Sequence, residues 1–366
     1  MVQSIDEQLN TITQDVTDTY TALEAKGATL PAKKGTSNLK ATVDSLPKSG
    51  FPYQIYSVDA NGTTVKPTQV LDKNTFADIV EIRGYCLDSF FAANQYARGY
   101  VCFPNLKYVY QDNFNNFDSK DNYAWNDRYI DKDSFPNLIS VAGGAMKSFK
   151  VKPKGDLEFP KLQYIRGGDF LFYGVTTDKP FVVKMNALTR VDEYSLREAF
   201  AYSSIKEFIC DNLEEFTEDV YFKPFRSAFS NCKSLTRVSF AKLKAFRFDA
   251  TFLSCTALTE LSFPSLESAD LKSFASSCSK LTNVSLPKLT TMLGNWSYAF
   301  KGCTSLATIS FPSLTTFKFN SSSNTFSGCT ALTEIHFRAD MQATVEALSG
   351  YASKWGATNA TIYFDL

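Results

Sequence analysis

A cysteine-centred repeat fills the C-terminal part of the chain and restricts the folds open to it. Cysteines stand at equal places in five successive copies, separated by 23, 23, 25 and 26 residues: Cys232, Cys255, Cys278, Cys303 and Cys329. Apolar residues follow each cysteine at the third, sixth, eighth and eleventh positions, until the last copy departs from the pattern at Asp340. One such unit cannot bury its own apolar face, so the copies must stack on one another.

The spacing within each copy predicts a short β-strand. The sixth and eighth positions are apolar and enclose a polar residue, which is the two-residue period of a strand with one buried face. The enclosed residues form one outward row: Ser239, Ser262, Ser285 and Ser310. Prolines lack the N–H that a ladder needs, so Pro264, Pro287 and Pro312 end these strands. Phe252, Phe300 and Phe326, three residues before a cysteine, predict a second apolar wall.

Weaker copies of the repeat extend the pattern towards the N-terminus. The Phe-Pro mark or a relative of it recurs at Phe103-Pro104, Phe135-Pro136, Phe159-Pro160, Met185-Asn186, Cys210-Asp211 and Phe240-Ala241. Together the marks predict about ten coils over residues 103–340, with the period of a leucine-rich repeat.

The best copies carry a resemblance to a known family. AFKGCTSLATISFP at residues 299–312 resembles the BspA-like leucine-rich repeat of bacterial surface proteins and some phage proteins. The resemblance is specific over residues 226–337 and diluted over 76–225. It implies a recognition scaffold rather than a catalyst.

The cysteine column predicts free thiols. Stacked coils place equivalent side chains about 4.8 Å apart and parallel, whereas a disulfide needs converging Cβ atoms about 3.8 Å apart. We therefore expect buried, reduced cysteines in this column.

The first 47 residues predict a helical segment for attachment or oligomerisation. Apolar residues alternate at intervals of four and three: Ile5, Leu9, Ile12, Val16 and, after Thr19, Leu23. This heptad is typical of a coiled coil of three or four strands, with a trimer expected. Alternatively, the stripe packs on a second helix over residues 37–46. Residues 22–47 also resemble a module near the start of many phage tail and fibre proteins.

The rest of the chain completes the predicted α+β, mostly β, architecture. A connector over residues 48–75 contains one hairpin at Asn61-Gly62. The leucine-rich-repeat solenoid follows over residues 76–340, and a cap over 341–366 consists of a short helix and a final strand.

Composition and motifs argue against several functions. Lys plus Arg (38) equals Asp plus Glu (38), so a broad electrostatic footprint for nucleic acid is absent. We expect neither a signal peptide nor a membrane span, and no metal or other cofactor. The single histidine, His336, lies in the outward serine row. Two sets of acidic residues, Asp156 with Glu158 and Glu214 with Glu215 and Glu218, are read as solvated charge rather than a glycosidase pair.

An aromatic and polar insertion is the candidate binding site. The interval between the Phe103 and Phe135 marks is longer than its neighbours, and insertions in solenoids often serve binding. Its rings lie among Asn and Asp, a mixture suited to sugars or to a protein partner: Tyr108, Tyr110, Phe114, Tyr123, Trp125 and Tyr129. Alternatively, half of these rings fill the first coils.

These features predict a non-enzymatic phage virion protein, a tail or head fibre that recognises a host. It would be made in the host cytoplasm, bind other virion proteins through its N-terminus, and bind a host-surface glycan or protein through the solenoid. A bacterial cell-surface adhesin of the BspA-like family is the alternative. A polysaccharide-degrading spike is the third interpretation.

Overall fold

The computed structural model describes the chain in segments. These are residues 57–58, 64–65, 70–71, 73–76, 79, 81–82, 98–110, 128–142, 151–166, 172, 174–192, 195–214, 223–294, 296–317, 324–347 and 351–366. The predicted N-terminal helix, with Ile5, Leu9, Ile12, Val16 and Leu23, lies outside the described residues. The phage-like stretch over residues 22–47 lies outside them as well.

The chain divides into two compact units, residues 1–66 and 67–366. In the first unit, strands β1 (Ser57–Val58) and β2 (Thr64–Val65) pair antiparallel, Ser57 with Val65 and Val58 with Thr64. This pairing confirms the hairpin predicted around Asn61-Gly62.

The second unit is a solenoid in which each turn adds strands to two walls. The first wall contains β3 (Val70–Leu71), β5 (Arg98–Tyr100), β7 (Arg128–Ile130), β9 (Lys152–Pro153), β10 (Leu157–Glu158), β12 (Phe181–Lys184), β14 (Ile205–Ile209), β15 (Arg237–Ser239), β17 (Glu260–Ser262), β19 (Asn283–Ser285), β21 (Thr308–Phe311), β23 (Glu334–Phe337) and β24 (Thr361–Phe364). The second wall contains β4 (Glu81–Ile82), β6 (Tyr108–Tyr110), β8 (Ser140–Ala142), β11 (Tyr164–Arg166), β13 (Arg190–Val191), β16 (Ala245–Arg247), β18 (Ser268–Asp270), β20 (Thr291–Met292) and β22 (Thr316–Phe317).

Strands of successive turns pair in parallel on both walls. The predicted register is confirmed where the pattern is strongest: Ser262 pairs with Ser285, and Ser310 pairs with His336. The first-wall ladder has interruptions, since β15 and β17 belong to different sheets and so do β19 and β21.

The solenoid has about eight turns, so the prediction of about ten coils is wrong. Eight of the ten marks lie between a first-wall and a second-wall strand. The mark at Phe337 is followed by helices, because the repeat gives way to the cap there. The mark at Cys210 is followed by residues 215–222, which lie outside the described part of the chain.

A third wall of tight turns closes each coil and contains the cysteines. Two positions per turn adopt a left-handed backbone, one of them directly before the cysteine, as at Asn231 (φ 60°) and Ser254 (φ 59°). This conformation turns backbone N–H groups towards the next coil, so that Phe229 donates to Thr251 O at 2.9 Å and Asn231 to Leu253 O at 2.7 Å. Gly302 and Gly328 occupy the same place with φ of 74° and 78°, a region that glycine enters without strain.

The cysteines of this wall are free and buried, as predicted. Each thiol also reaches the preceding coil: Cys255 Sγ donates to Phe229 O at 3.0 Å, and Cys278 Sγ donates to Phe252 O at 3.0 Å. Burial raises the pKa of the Cys255 thiol well above its ordinary value. The column is therefore both packed and hydrogen-bonded.

Stacked rings fill the space between the walls. Phe229 lies 5.5 Å from both Phe200 and Phe252, with nearly parallel rings, and Phe300 lies 5.6 Å from Phe326. All five rings are buried. The apolar wall predicted from the phenylalanines before the cysteines is therefore confirmed, and it lines the third wall.

The cap begins after β23. A 3₁₀ turn (Ala339–Met341) leads into helices α1 (Gln342–Glu346) and α2 (Tyr351–Trp355), and β24 then pairs in parallel with β23. The final strand is thus confirmed, and two short helices stand where one was predicted. The last carbonyls of a helix lack intrahelical partners; here Lys354 O accepts the Asn324 N–H at 2.6 Å and Trp355 O accepts the Phe326 N–H at 2.7 Å.

Candidate functional site

The predicted ring cluster is divided between two walls. Tyr108 and Tyr110 belong to β6 on the second wall, whereas Tyr129 belongs to β7 on the first. Phe114, Tyr123 and Trp125 lie outside the described residues. The structure therefore brings Tyr129 together with a different set of side chains.

Tyr129 lies beside Tyr100 on the outer face of the first wall. The two residues pair in the parallel ladder of β5 and β7, and their ring centroids are 6.4 Å apart. Arg128 precedes Tyr129 in β7, so strand alternation places its side chain on the inner face, where burial lowers the pKa of the guanidinium to about 10. Both tyrosines are half-buried, so ring surface remains available to solvent.

Two lysines cover faces of these rings. Lys154 Nζ lies 3.8 Å from the Tyr129 centroid and 5.2 Å from the Tyr100 centroid, and Lys73 Nζ lies 5.3 Å from the Tyr100 centroid. Ammonium groups at these distances are attracted by the ring quadrupole. The lysines thereby keep a positive charge against an aromatic surface.

Two carboxylates complete the group. Lys73 Nζ lies 2.7 Å from an Asp131 oxygen and 3.1 Å from an Asp133 oxygen. Hydrogen bonds that Lys73 donates to Asp131 and Asp133 raise the pKa of Lys73, and hydrogen bonds from Lys132 and Lys73 lower the pKa of Asp133. We call Lys73, Tyr100, Tyr129, Asp131, Asp133 and Lys154 the tyrosine–lysine patch.

The tyrosine–lysine patch offers three kinds of contact within one surface. Its rings present apolar faces, its lysines donate hydrogen bonds and attract anions, and its carboxylates accept hydrogen bonds from hydroxyls. Sequence reasoning found Tyr129 but missed Tyr100, Lys73 and Lys154. A usable signal was the recurrence of Tyr100, Tyr129 and Lys154 at intervals of 29 and 25 residues.

Three of the other acidic residues singled out in the sequence have partners in the described part of the chain. Glu158 accepts from Lys184 Nζ at 2.8 Å, and Asp156 accepts from the Val182 N–H at 3.0 Å. Glu214 lies 3.9 Å from both Lys242 and Lys244, while Glu215 and Glu218 lie outside the described residues.

His336 lies between two carboxylates at the end of the solenoid. Its Nδ1 is 2.9 Å from Asp365 and its Nε2 is 3.4 Å from Glu334, and its ring stacks on Tyr363 at 5.0 Å. The Asp365 contact, with a smaller contribution from Glu334, raises the pKa of His336. The contacts with Tyr363 and Asp365 join β23 to β24 and the residue that follows it.

Within the described ranges, no cluster of three metal-ligating side chains is present. No helix in those ranges is long and apolar enough to cross a membrane.

A family model described as "BspA type Leucine rich repeat region" matches the chain in six copies, over residues 197–333 and 273–349. The matched residues, 197–349, form less than half of the chain. The tyrosine–lysine patch lies in turns that precede them but continue the same two-walled arrangement.

Solved structures of leucine-rich repeat proteins are similar to this chain at low identity. A leucine rich cell surface protein from Faecalibacterium prausnitzii is 14% identical, with 84% of this chain and 92% of that one covered, and a TM-score of 0.32. A leucine-rich repeat protein from Eubacterium ventriosum is 17% identical (69% and 89% covered, TM-score 0.31). One from Bacteroides ovatus is 15% identical (85% and 91% covered, TM-score 0.27). Among curated proteins, no sequence matches the chain.

Proposed function

We propose that the protein is a non-enzymatic recognition protein of a bacterial cell surface, an adhesin whose solenoid binds an acidic glycan. The observation that carries this proposal is the half-buried Tyr100–Tyr129 pair flanked by Lys73 and Lys154. The turns that hold the pair form a rigid scaffold, because they hydrogen-bond to one another: Val101 N–H donates to Tyr129 O and Lys154 N–H donates to Ile130 O, both at 2.8 Å.

The chemistry of the tyrosine–lysine patch favours an acidic sugar. Sugar rings carry C–H faces that pack on tyrosine, and stiff tyrosine side chains lose little conformational entropy on binding. A sugar carboxylate would bind Lys154 and compete with Asp131 and Asp133 for Lys73. Sugar hydroxyls would donate to the aspartates that the sugar carboxylate displaces from Lys73. Since these charges are exposed, we expect the affinity to fall as the salt concentration rises.

The other interpretations have less support. The tail-fibre interpretation, with its predicted trimer and virion partners, depends on residues 1–47, which lie outside the described residues. For a polysaccharide-degrading spike, the sequence singled out Asp156 and Glu158, and both accept hydrogen bonds from strand β12.

The proposal is tested by surface plasmon resonance of the full chain against a sialylated oligosaccharide and its neutral counterpart. We expect saturable binding of the acidic form alone. Tyr129→Ala should weaken it by about tenfold or more, the effect of losing about 1.4 kcal/mol or more at an aromatic anchor.

Tyr298→Ala is the matched control. Tyr298 is also partly exposed and has a lysine, Lys301, 5.3 Å from its ring centroid, but it lies in the third wall. Binding of neither oligosaccharide, or equal losses in both variants, would contradict the proposal.

A further inference from the structure

The first wall is open between β15 and β17. β15 bonds to β14 and β17 bonds to β19, and no ladder joins β15 to β17, although residues 223–294 are described throughout. Where consecutive strands of this wall belong to one sheet, the residue after the strand closes the ladder: Cys210 N–H donates to Ser239 O at 2.9 Å, and Phe263 N–H donates to Ser285 O at 3.0 Å. Among the described residues, the equivalent Phe240 N–H has no acceptor.

The ladder is open at its other end too. Thr236 N–H donates to Lys206 O at 2.9 Å, and Thr282 N–H donates to Thr259 O at 2.9 Å. Within the described part of the chain, no bond of this kind runs from Thr259 to Thr236. Backbone donors and acceptors of two strands therefore face each other without meeting.

The same two turns stay joined on the other walls. On the second wall, Ala245 pairs with Ser268, and Glu267 N–H donates to Lys244 O at 2.6 Å. On the third wall, Phe229 N–H donates to Thr251 O at 2.9 Å. The opening is therefore a wedge that is hinged at the back and opens to solvent at the front.

This wedge contains a cavity of about 380 Å³, which we call the β15–β17 cleft. Val238 and Phe240 form its floor, and Val238 keeps only 8% of its surface exposed. A further strand needs about 4.8 Å of space on each side. Cα atoms of β15 and β17 lie within 8 Å of each other, which is less than the two spacings that an inserted strand needs, whereas the cavity volume suits a small ligand.

The side chains at the mouth of the cleft are polar and balanced in charge. Arg237 lies 3.5 Å from Glu207, and Glu260 accepts from Asn283 at 3.1 Å. Ser239 donates to Asp211 at 2.5 Å, while the Ser262 hydroxyl has no partner among the described residues. Because each charge already has a partner, the cleft favours a neutral ligand.

We propose that the β15–β17 cleft binds one neutral hexose ring. A sugar hydroxyl both donates and accepts, so a single ring can accept from Phe240 N–H and donate to Ser262 O, bridging the two strands as the missing ladder would. The carbon face of the ring rests on the exposed edge of Val238. This site is separate from the tyrosine–lysine patch and takes a different class of ligand.

The experiment is calorimetric titration of the full chain with glucose, galactose and mannose. We expect saturable binding of at least one hexose. Ser262→Phe should weaken binding at least tenfold, because the ring fills the mouth of the cleft. Ser268→Phe is the matched control, since Ser268 lies in the same turn and is half-buried on the second wall. The affinity of this variant for the hexose should stay within twofold of that of the unmodified chain.

A second measurement keeps the proposal testable if either variant folds poorly. Hydrogen exchange of the unmodified chain should show slower exchange at the Phe240 and Thr259 amides when the hexose is added. The proposal is overturned if no hexose binds saturably, if both variants lose binding equally, or if exchange at these two amides is unchanged. Loss of acidic-glycan binding in Tyr129→Ala with hexose binding intact would show that the two sites act separately.

Discussion

Replacing one thiol of the cysteine column tests whether the stacked turns depend on it. Cys255 is fully buried, and its Sγ donates to Phe229 O at 3.0 Å. Cys255→Ala removes the sulfur atom and with it both the packing and the hydrogen bond. The change leaves the exposed faces of the solenoid untouched, so any effect measures the interior of the third wall.

The expected cost has two parts. Losing the buried atom and leaving a small cavity costs about 1–2 kcal/mol. Losing the hydrogen bond adds about 1 kcal/mol, and not more, because Phe229 O also accepts the Cys232 N–H at 3.1 Å. We therefore expect the free energy of unfolding to fall by about 2–3 kcal/mol. At an m-value of about 3 kcal/mol per molar, the urea midpoint falls by roughly 1 M.

Urea unfolding followed by circular dichroism measures this shift. Thr256→Ala, at the adjacent half-buried position, is the control and should cost within about 0.5 kcal/mol. Thiol titration without reductant should show no reaction of the buried column in the native protein and eight thiols after denaturation, the number of cysteines in the chain. Equal midpoints for the two variants, or fewer than eight thiols, would refute the packed and reduced column.

Three further predictions concern other parts of the chain. Because Asp365 raises the pKa of His336, the protonated ring should stabilise β24 fully below pH about 6.5, and this stabilisation should vanish as the pH rises through the raised pKa. The melting temperatures of the unmodified chain and of His336→Gln, measured from pH 5 to 9, should therefore converge as the pH rises. A difference that grows with pH would contradict this prediction. Gly294→Ala should destabilise by about 1–3 kcal/mol, since its Cβ would lie 2.4 Å from the Asp270 carboxylate, and Asp270→Ala should relieve most of this in a double mutant. Light scattering should give a trimer for the full chain and a monomer for residues 51–366; two monomers would mean that the N-terminal stripe packs on its own chain.

Much of the first wall could be predicted from sequence because its period is local. The alternation around Ser262 and Ser285 places both residues outward and in register, as observed. The second wall was harder, since strands such as β20 (Thr291–Met292) are only two residues long and show no alternation. Their position depends on pairing with neighbouring turns, which a single copy does not reveal.

The tyrosine–lysine patch was only partly predictable for a similar reason. Tyr129 stands out as an aromatic residue in a polar insertion, but its neighbours Tyr100 and Lys154 come from turns of unequal length. Which residues meet depends on the register that the ladder selects, and the interval of 29 residues does not follow from the 23-residue period. The β15–β17 cleft was not predictable, because Val238 and Phe240 show the same apolar pattern as Leu261 and Phe263 in a copy whose ladder is closed.

The helix that ends the third wall leaves the number of turns in such a protein open. In the third wall, backbone N–H groups of one turn donate to carbonyls of the following turn. The last turn therefore needs acceptors that another turn would otherwise provide. Helix α2 provides them through Lys354 O and Trp355 O. The number of turns is therefore not fixed. Extra copies of residues 255–277 could be inserted into the middle of the solenoid, while the terminating helix must remain. Natural gain or loss of repeats by recombination would be tolerated on the same terms.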